Sequence, residues 1–382
     1  MPFRLLLLAT GAFVIGTELF VIAGILPDVA SGLGVNVPLA GQLVTIFGLA
    51  YAIGAPALAS LAGRVPRRRL LSFSMYAFAF SNALAALAPN YGWMLAIRVL
   101  AALSASLFLP NASALAAVLV TPEKRGSALG LVYAGLSVAT VLGVPLGTAV
   151  AGAWGWRWVF GGIAVMSLVV ATGFRFLLPE MSGVSPISLR KRLALLGRSG
   201  VIQVLATTIL VLTGAFAVYG YLSPLLFRSI GADRRTIEIF LWEYGMAGVF
   251  GSWLGGRAAD RWGSGRTLPV VLVLVGSALA ALSVPDRSPI LIAAIFFVWG
   301  AAGGAFTPIQ QHRLLALIPD AGPPALALNS SATYLGMTFA GLVGGGTVAL
   351  GAIQYLGLTG AAFAAIAFVL SFARSRMSRS PT

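Results

Sequence analysis

Apolar runs of about 20 residues, broken by short clusters of charge, proline and glycine, follow one another along almost the whole chain. A helix needs about 20 mostly apolar residues to cross hydrocarbon. Twelve windows meet that need, near 5–27, 38–62, 70–88, 92–119, 127–153, 156–178, 200–227, 236–256, 267–284, 289–317, 325–349 and 352–373. The punctuation between them repeats at a spacing of 197 residues, which superposes Pro27 on Pro224, Gly34 on Gly231, Gly54 on Gly251, Arg64 on Arg261, Pro122 on Pro319 and Gly147 on Gly344. Glycine and proline each fix a backbone event, a close helix approach or a helix end, that other residues serve poorly. Shared punctuation therefore predicts shared architecture. Six spans per copy let both copies insert with the same orientation, as parallel repeats. The expected fold is all-α and polytopic, with twelve transmembrane helices in two six-helix bundles. Residues 1–178 form the first bundle, 179–199 a linker, 200–373 the second bundle and 374–382 a tail.

Composition agrees: 59% of residues are hydrophobic and 9% charged, too little polar surface for a soluble globule of 382 residues. The net charge of +15 raises the question of nucleic acid. The cations, however, sit between apolar segments rather than on one water-facing surface, so no nucleic-acid partner is expected. Without cysteine, and with His312 as the one histidine, thiolate chemistry and histidine clusters are excluded and no metal site is predicted. The apolar stretch at the N-terminus runs on to Pro27 without a cleavage site, so it reads as the first span and not as a signal peptide. With the N-terminus in the cytoplasm, 19 lysines and arginines fall on the inner side and five outside: Arg157, Arg228, Arg234, Arg235 and Arg287. That asymmetry places both termini inside. The linker carries the Arg190–Arg192 basic run, and its stretch from Leu189 to Leu196 suits a short amphipathic helix on an anionic leaflet.

The eighth span ends in Gly256-Arg257-Ala258-Ala259-Asp260-Arg261-Trp262-Gly263, and the loop after the second span holds Gly63-Arg64-Val65-Pro66-Arg67-Arg68-Arg69. The first of these resembles the G-x-x-x-D-R-x-G loop signature of the major facilitator superfamily. The resemblance extends over the whole chain through span number, linker and repeat. It implies a transporter in which Asp260 and Arg261, with Arg64, Arg68 and Gly256, latch the cytoplasmic side. In the first copy Gly63 stands where the signature has Asp, which argues against an aspartate latch there. The fifth span carries Gly135, Gly143-Val144-Pro145-Leu146-Gly147 and Gly152, similar to the glycine–proline signature of antiporters in this superfamily. Physically, small residues let helices approach and a proline bends or loosens the helix. Gly143, Pro145 and Gly147 are therefore candidates for conformational change, with plain helix packing as the alternative. The segments Thr121–Gly126, Gly155–Phe160 and Gly16–Phe20 resemble the drug-efflux branch, near the arabinose-efflux-like and chloramphenicol-efflux-like permeases.

Ionisable groups within a bilayer are costly and usually face a cavity or a partner. Glu18 lies about 14 Å from the outer end of the first span, counted at 1.5 Å per residue. Arg98 lies about 9 Å below the outer end of the fourth, and Glu243 about 10 Å below that of the eighth. Burial favours a protonated carboxyl and a nearby cation favours an ionised one. Glu18, with Arg98 as its partner, is thus the leading proton-coupling candidate. Under the repeat Glu18 maps to Ala215 and Arg98 to Ile295, so the second copy lacks the pair. Tyr51, Asn111, Tyr219, Glu243, Trp299, Gln310, Asn329 and Tyr334 are candidates for lining a substrate cavity, although each also suits helix packing.

The leading expectation is a monomeric exporter in a bacterial inner membrane. It would move a small, largely apolar or amphiphilic molecule by alternating access, driven by the proton gradient without a cofactor. A sugar or nucleoside transporter is the second reading. A non-transporting membrane sensor is the third. No nucleophile elbow, zinc motif or phosphate-binding loop is present, so no enzyme is expected.

Overall fold

The computed structural model describes residues 2–61, 65–121, 124–180, 194–284, 288–318 and 322–372. The first copy supplies α1 (Pro2–Gly32), α2 (Val37–Leu61), α3 (Arg67–Ala86), α4 (Tyr91–Val118), α5 (Arg125–Val138), α6 (Val144–Trp154) and α7 (Trp156–Leu177). The second supplies α8 (Val201–Gly220), α9 (Leu222–Ile230), α10 (Arg234–Trp262), α11 (Ser264–Ala281), α12 (Pro289–Leu317), α13 (Gly322–Ala349) and α14 (Leu356–Phe372). These helices follow the predicted windows in order, and no strand occurs among the described residues. Hydrocarbon enforces this, since an irregular or open-edged backbone would leave N–H and C=O groups unsatisfied.

Nine stretches among the described residues are long and apolar enough to cross a membrane. The helices that fall short are α9, which has only nine residues, and α3, α10 and α13. α3 opens on Arg67, Arg68 and Arg69 and buries Ser72, Ser74, Ser81 and Asn82. α10 carries Arg234, Arg235, Glu238, Glu243, Arg257, Asp260 and Arg261, and α13 holds the polar run from Asn329 to Tyr334.

The repeat reappears in the backbone. Gly34 and Gly231, one period apart, take left-handed φ of +66° and +63° at equivalent helix ends. A Cβ on Gly54 would stand 2.6 Å from Leu103 of α4, and one on Gly251 would stand 1.8 Å from the Ala301 carbonyl of α12. The second helix of each copy therefore abuts the fourth through a glycine. Gly147 meets Val21 of α1, while Gly344 meets Ala217 and Tyr221 at the end of α8, so the fifth helix of each copy closes on the first. Symmetry fails at the prolines: α1 runs through Pro27, whereas the helix carrying Pro224 breaks at Tyr221.

The chain forms two compact units, Met1–Pro186 with Ala232–Gly245, and Ile187–Gly231 with Met246–Thr382. In the first unit α1 lies along α5 and α6, and α3 lies against α4 and α7. In the second α8 lies along α13, and α11 lies against α12 and α14. The linker stretch 189–193, the tail from 374, Pro122 and Arg287 fall outside the described residues; Leu195–Gly197 is a single 3-10 turn.

At Gly251 a larger side chain has only backbone to push against, so Gly251→Val should cost about 1–3 kcal/mol from overpacking. Nothing stands within 4 Å of a Cβ on Gly130 in α5, so Gly130→Ala should leave stability unchanged or slightly raised. Thermal unfolding of the detergent-solubilised protein measures both.

Candidate functional site

α1 owes its position to the glycines of the fifth span. A Cβ on Gly135 would be 2.1 Å from the Ala9 carbonyl, and one on Gly143 would be 2.1 Å from the Thr17 hydroxyl. Between α5 and α6 the backbone widens into a π turn, Ala139–Gly143. Pro145 follows in the first turn of α6, where its missing N–H deprives one upstream carbonyl of a helical donor. The glycine–proline signature thus acts within the first unit. It lets α1 approach closely along the stretch that carries Glu18.

Glu18 and Arg98 meet. Arg98 Nη1 donates to Glu18 Oε1, and both side chains are 1% exposed. Arg98 Nε also donates to the Leu43 carbonyl of α2 at 3.3 Å, and its guanidinium lies 4.6 Å from the centroid of the Phe47 ring. The pair is therefore walled by α1, α2 and α4. Among the described residues Glu18 Oε2 and Arg98 Nη2 have no hydrogen-bond partner, so the pair is not fully satisfied. Leu43 and Phe47 escaped the sequence reading because a carbonyl and a phenyl ring carry no compositional signal. Tyr51, one turn beyond Phe47 and 6.4 Å away between rings, is 2% exposed.

In the second unit a neutral network occupies the corresponding pair of helices, the first and fourth of the copy. Gln310 of α12 donates to the Val204 carbonyl at 3.0 Å and to Thr208 Oγ1 at 3.1 Å, both on α8. Thr208 in turn donates to Asn329 Oδ1 of α13 at 3.0 Å. Gln310, Thr208 and Asn329 are all buried. Further along the unit, Trp299 packs edge-on against Tyr219 and Phe296, with centroids 6.4 and 5.8 Å away. Tyr334 is buried too.

Of the predicted cavity residues, Asn111 and Glu243 are the ones that are only half-buried. Asn111 Oδ1 accepts from Arg67 Nη1 at 3.0 Å, while Glu243 forms no ion pair with any other described residue. The rest are buried.

Arg64 lies outside the described residues. Arg68 and Arg69 both pair with Glu180, just beyond α7, at 3.0 Å each. The first copy thus has a carboxylate for its basic loop despite Gly63, supplied from 112 residues away in the chain. In the second copy Asp260 and Arg261 are exposed and Asp260 makes no ion pair among the described residues. Arg257 lies 3.9 Å over the Trp253 ring. A Cβ on Gly256 would meet nothing, whereas its neighbour Gly255 abuts Ala305 at 2.6 Å; the turn itself is made by Gly263, at φ +79°. Among the described residues no group of three or more metal-ligating side chains occurs.

The signature of the Major Facilitator Superfamily matches residues 8–270 and again 204–381. The chain belongs to this superfamily. Its members are transporters and not enzymes, and the apolar helices make this one a multi-pass membrane protein. It is 34% identical over 372 residues to the uncharacterized MFS-type transporter YbcL of Bacillus subtilis (strain 168), covering 97% of this chain and 95% of that one. Identity is 36% over 335 residues to a chloramphenicol resistance protein of Streptomyces lividans, covering 86% and 84%. It is 30% over 380 residues to a probable sugar efflux transporter of Mannheimia succiniciproducens, covering 97% and 94%. Among solved structures, a bacterial homologue of the human lysosomal transporter Spinster shares the fold. The TM-score is 0.77 at 17% identity, over 100% of this chain and 99% of that one.

Removing one member of a pair this buried leaves an uncompensated charge, so Glu18→Ala or Arg98→Ala should each cost about 3–5 kcal/mol. The double variant Glu18→Leu with Arg98→Met should recover most of that loss. A double-mutant cycle on thermal or denaturant unfolding measures the coupling.

Proposed function

We propose that this transporter exports a small, largely apolar or amphiphilic molecule in exchange for protons, by alternating access. The observation that carries the reading is the enclosed Glu18–Arg98 pair. A carboxylate held by one guanidinium has two accessible states, paired and charged or protonated and released. That is the chemistry a proton exchanger needs. When Glu18 takes a proton, Arg98 Nη1 loses its acceptor and the three helices around it lose a tie. A change of charge thereby becomes a change of packing. The neutral Thr208–Gln310–Asn329 network offers no such exchange, which leaves the coupling to the first unit. The kinship to a chloramphenicol resistance protein supports a drug-like substrate. The charge asymmetry of the loops supports a bacterial inner-membrane location with both termini in the cytoplasm. The proton gradient serves as the energy source with no cofactor, and a monomer suffices.

In proteoliposomes, an imposed pH gradient should drive uphill movement of chloramphenicol or a related amphiphile. Glu18→Gln should abolish uphill transport and the accompanying proton flux while leaving downhill exchange measurable. Uphill export by Glu18→Gln at the wild-type rate would remove the basis of the coupling.

Kinship to a probable sugar efflux transporter favours a second reading in which the cargo is a sugar. Counterflow with labelled sugars against labelled amphiphiles separates the two. The amphiphile is expected to exchange, because Thr208 already bonds to Gln310 and Asn329, and hydroxyls binding there would have to unpair that network, with Gln310 Oε1 the acceptor left over among the described residues.

A further inference from the structure

The opening stretch of α10, Ala232–Gly245, belongs by sequence to the second copy and by packing to the first unit. Arg234 accounts for this. Its Nη2 donates to Asp28 Oδ1 at the end of α1 at 2.8 Å, and its Nη1 donates to the Thr148 carbonyl of α6 at 3.3 Å. The stem of Arg234 crosses α6 at Gly152, where a Cβ would stand 2.5 Å from its Cδ and 2.9 Å from its Nε. Gly152, the last glycine of the fifth-span signature, is thus a seat for this side chain.

Two more glycines complete the joint. A Cβ on Gly24 would meet Thr148 Oγ1 at 2.1 Å and Leu241 at 3.2 Å, and one on Gly245 would meet the Thr140 carbonyl of the π turn at 2.6 Å. Asp233 caps α10 by accepting from the Thr236 N–H at 2.9 Å, which fixes the helix end from which Arg234 projects. Hydrogen bonds from the Thr236 hydroxyl and then from its N–H hold the Asp233 carboxyl below its ordinary value, so the cap stays charged near neutrality.

The pair is unlike Glu18–Arg98 in one decisive respect: Arg234 is 40% exposed and Asp28 29%. Water can replace either partner, and pairs of this kind hold weakly. A weak, wet ion pair on a tight glycine seat suits a contact that must form and break repeatedly, where a buried pair would lock. The joint is also peculiar to one copy. Under the 197-residue repeat Asp28 maps to Leu225, Gly152 to Ala349, and Arg234 back to Val37.

We propose that Asp28 and Arg234, seated on Gly152, are the clasp that closes the α1 end of the first unit at Gly32 by holding Ala232–Gly245 down on α1 and α6, and that its release exposes the apolar face beneath. With both termini inside, as read above, this is the extracellular end and the clasp controls access from outside.

The absence of cysteine from the sequence makes the test direct. Leu241→Cys places a thiol at a position 1% exposed under the clasp, and Thr148→Cys serves as a second reporter at an equally buried site. Labelling by a membrane-impermeant maleimide is followed in intact cells and in inverted vesicles. Slow labelling in cells is expected with the clasp intact. It should rise at least about threefold with Arg234→Gln, Asp28→Asn or Gly152→Val, with unfolding temperature unchanged for the first two. The exchanged pair Asp28→Arg with Arg234→Asp should bring it back toward the starting rate. Unchanged labelling in all three single variants, or an exchanged pair as reactive as the singles, overturns the clasp. Acceleration seen in inverted vesicles and absent from cells would overturn the orientation instead while leaving the clasp standing. No substrate is needed, so the result does not depend on what is transported.

Discussion

The closeness of α1 to α5 and α6 is the constraint on which the candidate site depends. In a bilayer, helices gain little from the hydrophobic effect against one another, so contact packing and polar ties must hold them. Gly135, Gly143 and Gly147 let the fifth span close on α1, at the Ala9 backbone and at the Thr17 and Val21 side chains, and Thr17 stands next to Glu18. A carboxylate facing a guanidinium in a space this enclosed is tolerable only while the two stay in register. The glycines supply that register. They belong to the chemistry without taking part in it.

The two copies share a scaffold and divide its uses. Each has a left-handed glycine at the same helix end, a glycine contact between second and fourth helices, and another between fifth and first. Each also joins its first and fourth helices through buried polar groups. In the first copy these are a carboxylate and a guanidinium; in the second, an amide and a hydroxyl, with a further amide from α13. A neutral network can brace helices, but it has no proton to exchange near neutrality. Duplication therefore preserved the frame while charge settled on one side.

Ion pairs of different burial suit different tasks within the first unit. Glu18–Arg98 is shut off from water, where losing either charge would leave the other uncompensated. Arg68 and Arg69 with Glu180, and Asp28 with Arg234, stand partly in water, where pairing is weak and reversible. The basic loop that lacked its aspartate found a carboxylate just beyond α7, 112 residues on in the chain. The glycine–proline signature, readable as either a hinge or a packing face, makes a close seat for α1 and has a π turn ahead of Pro145.

Much of this was legible in the chain itself. Apolar windows, helix ends and the doubled plan are properties of neighbouring residues and of spacing, so hydropathy and the placement of glycine and proline determined them. The scarcity of intramembrane charge singled out Glu18 and Arg98 for the same reason. Only the tertiary structure decided which groups meet. Arg67 and Asn111 are 44 positions apart, Glu18 and Arg98 80, and Asp28 and Arg234 206. Leu43 enters through a carbonyl that every residue owns, and Gln310 and Asn329, predicted to line a cavity, are buried and joined through Thr208. Pairing over such distances depends on how closely and in what register helices pack, and that depends on all the contacts of the folded chain together.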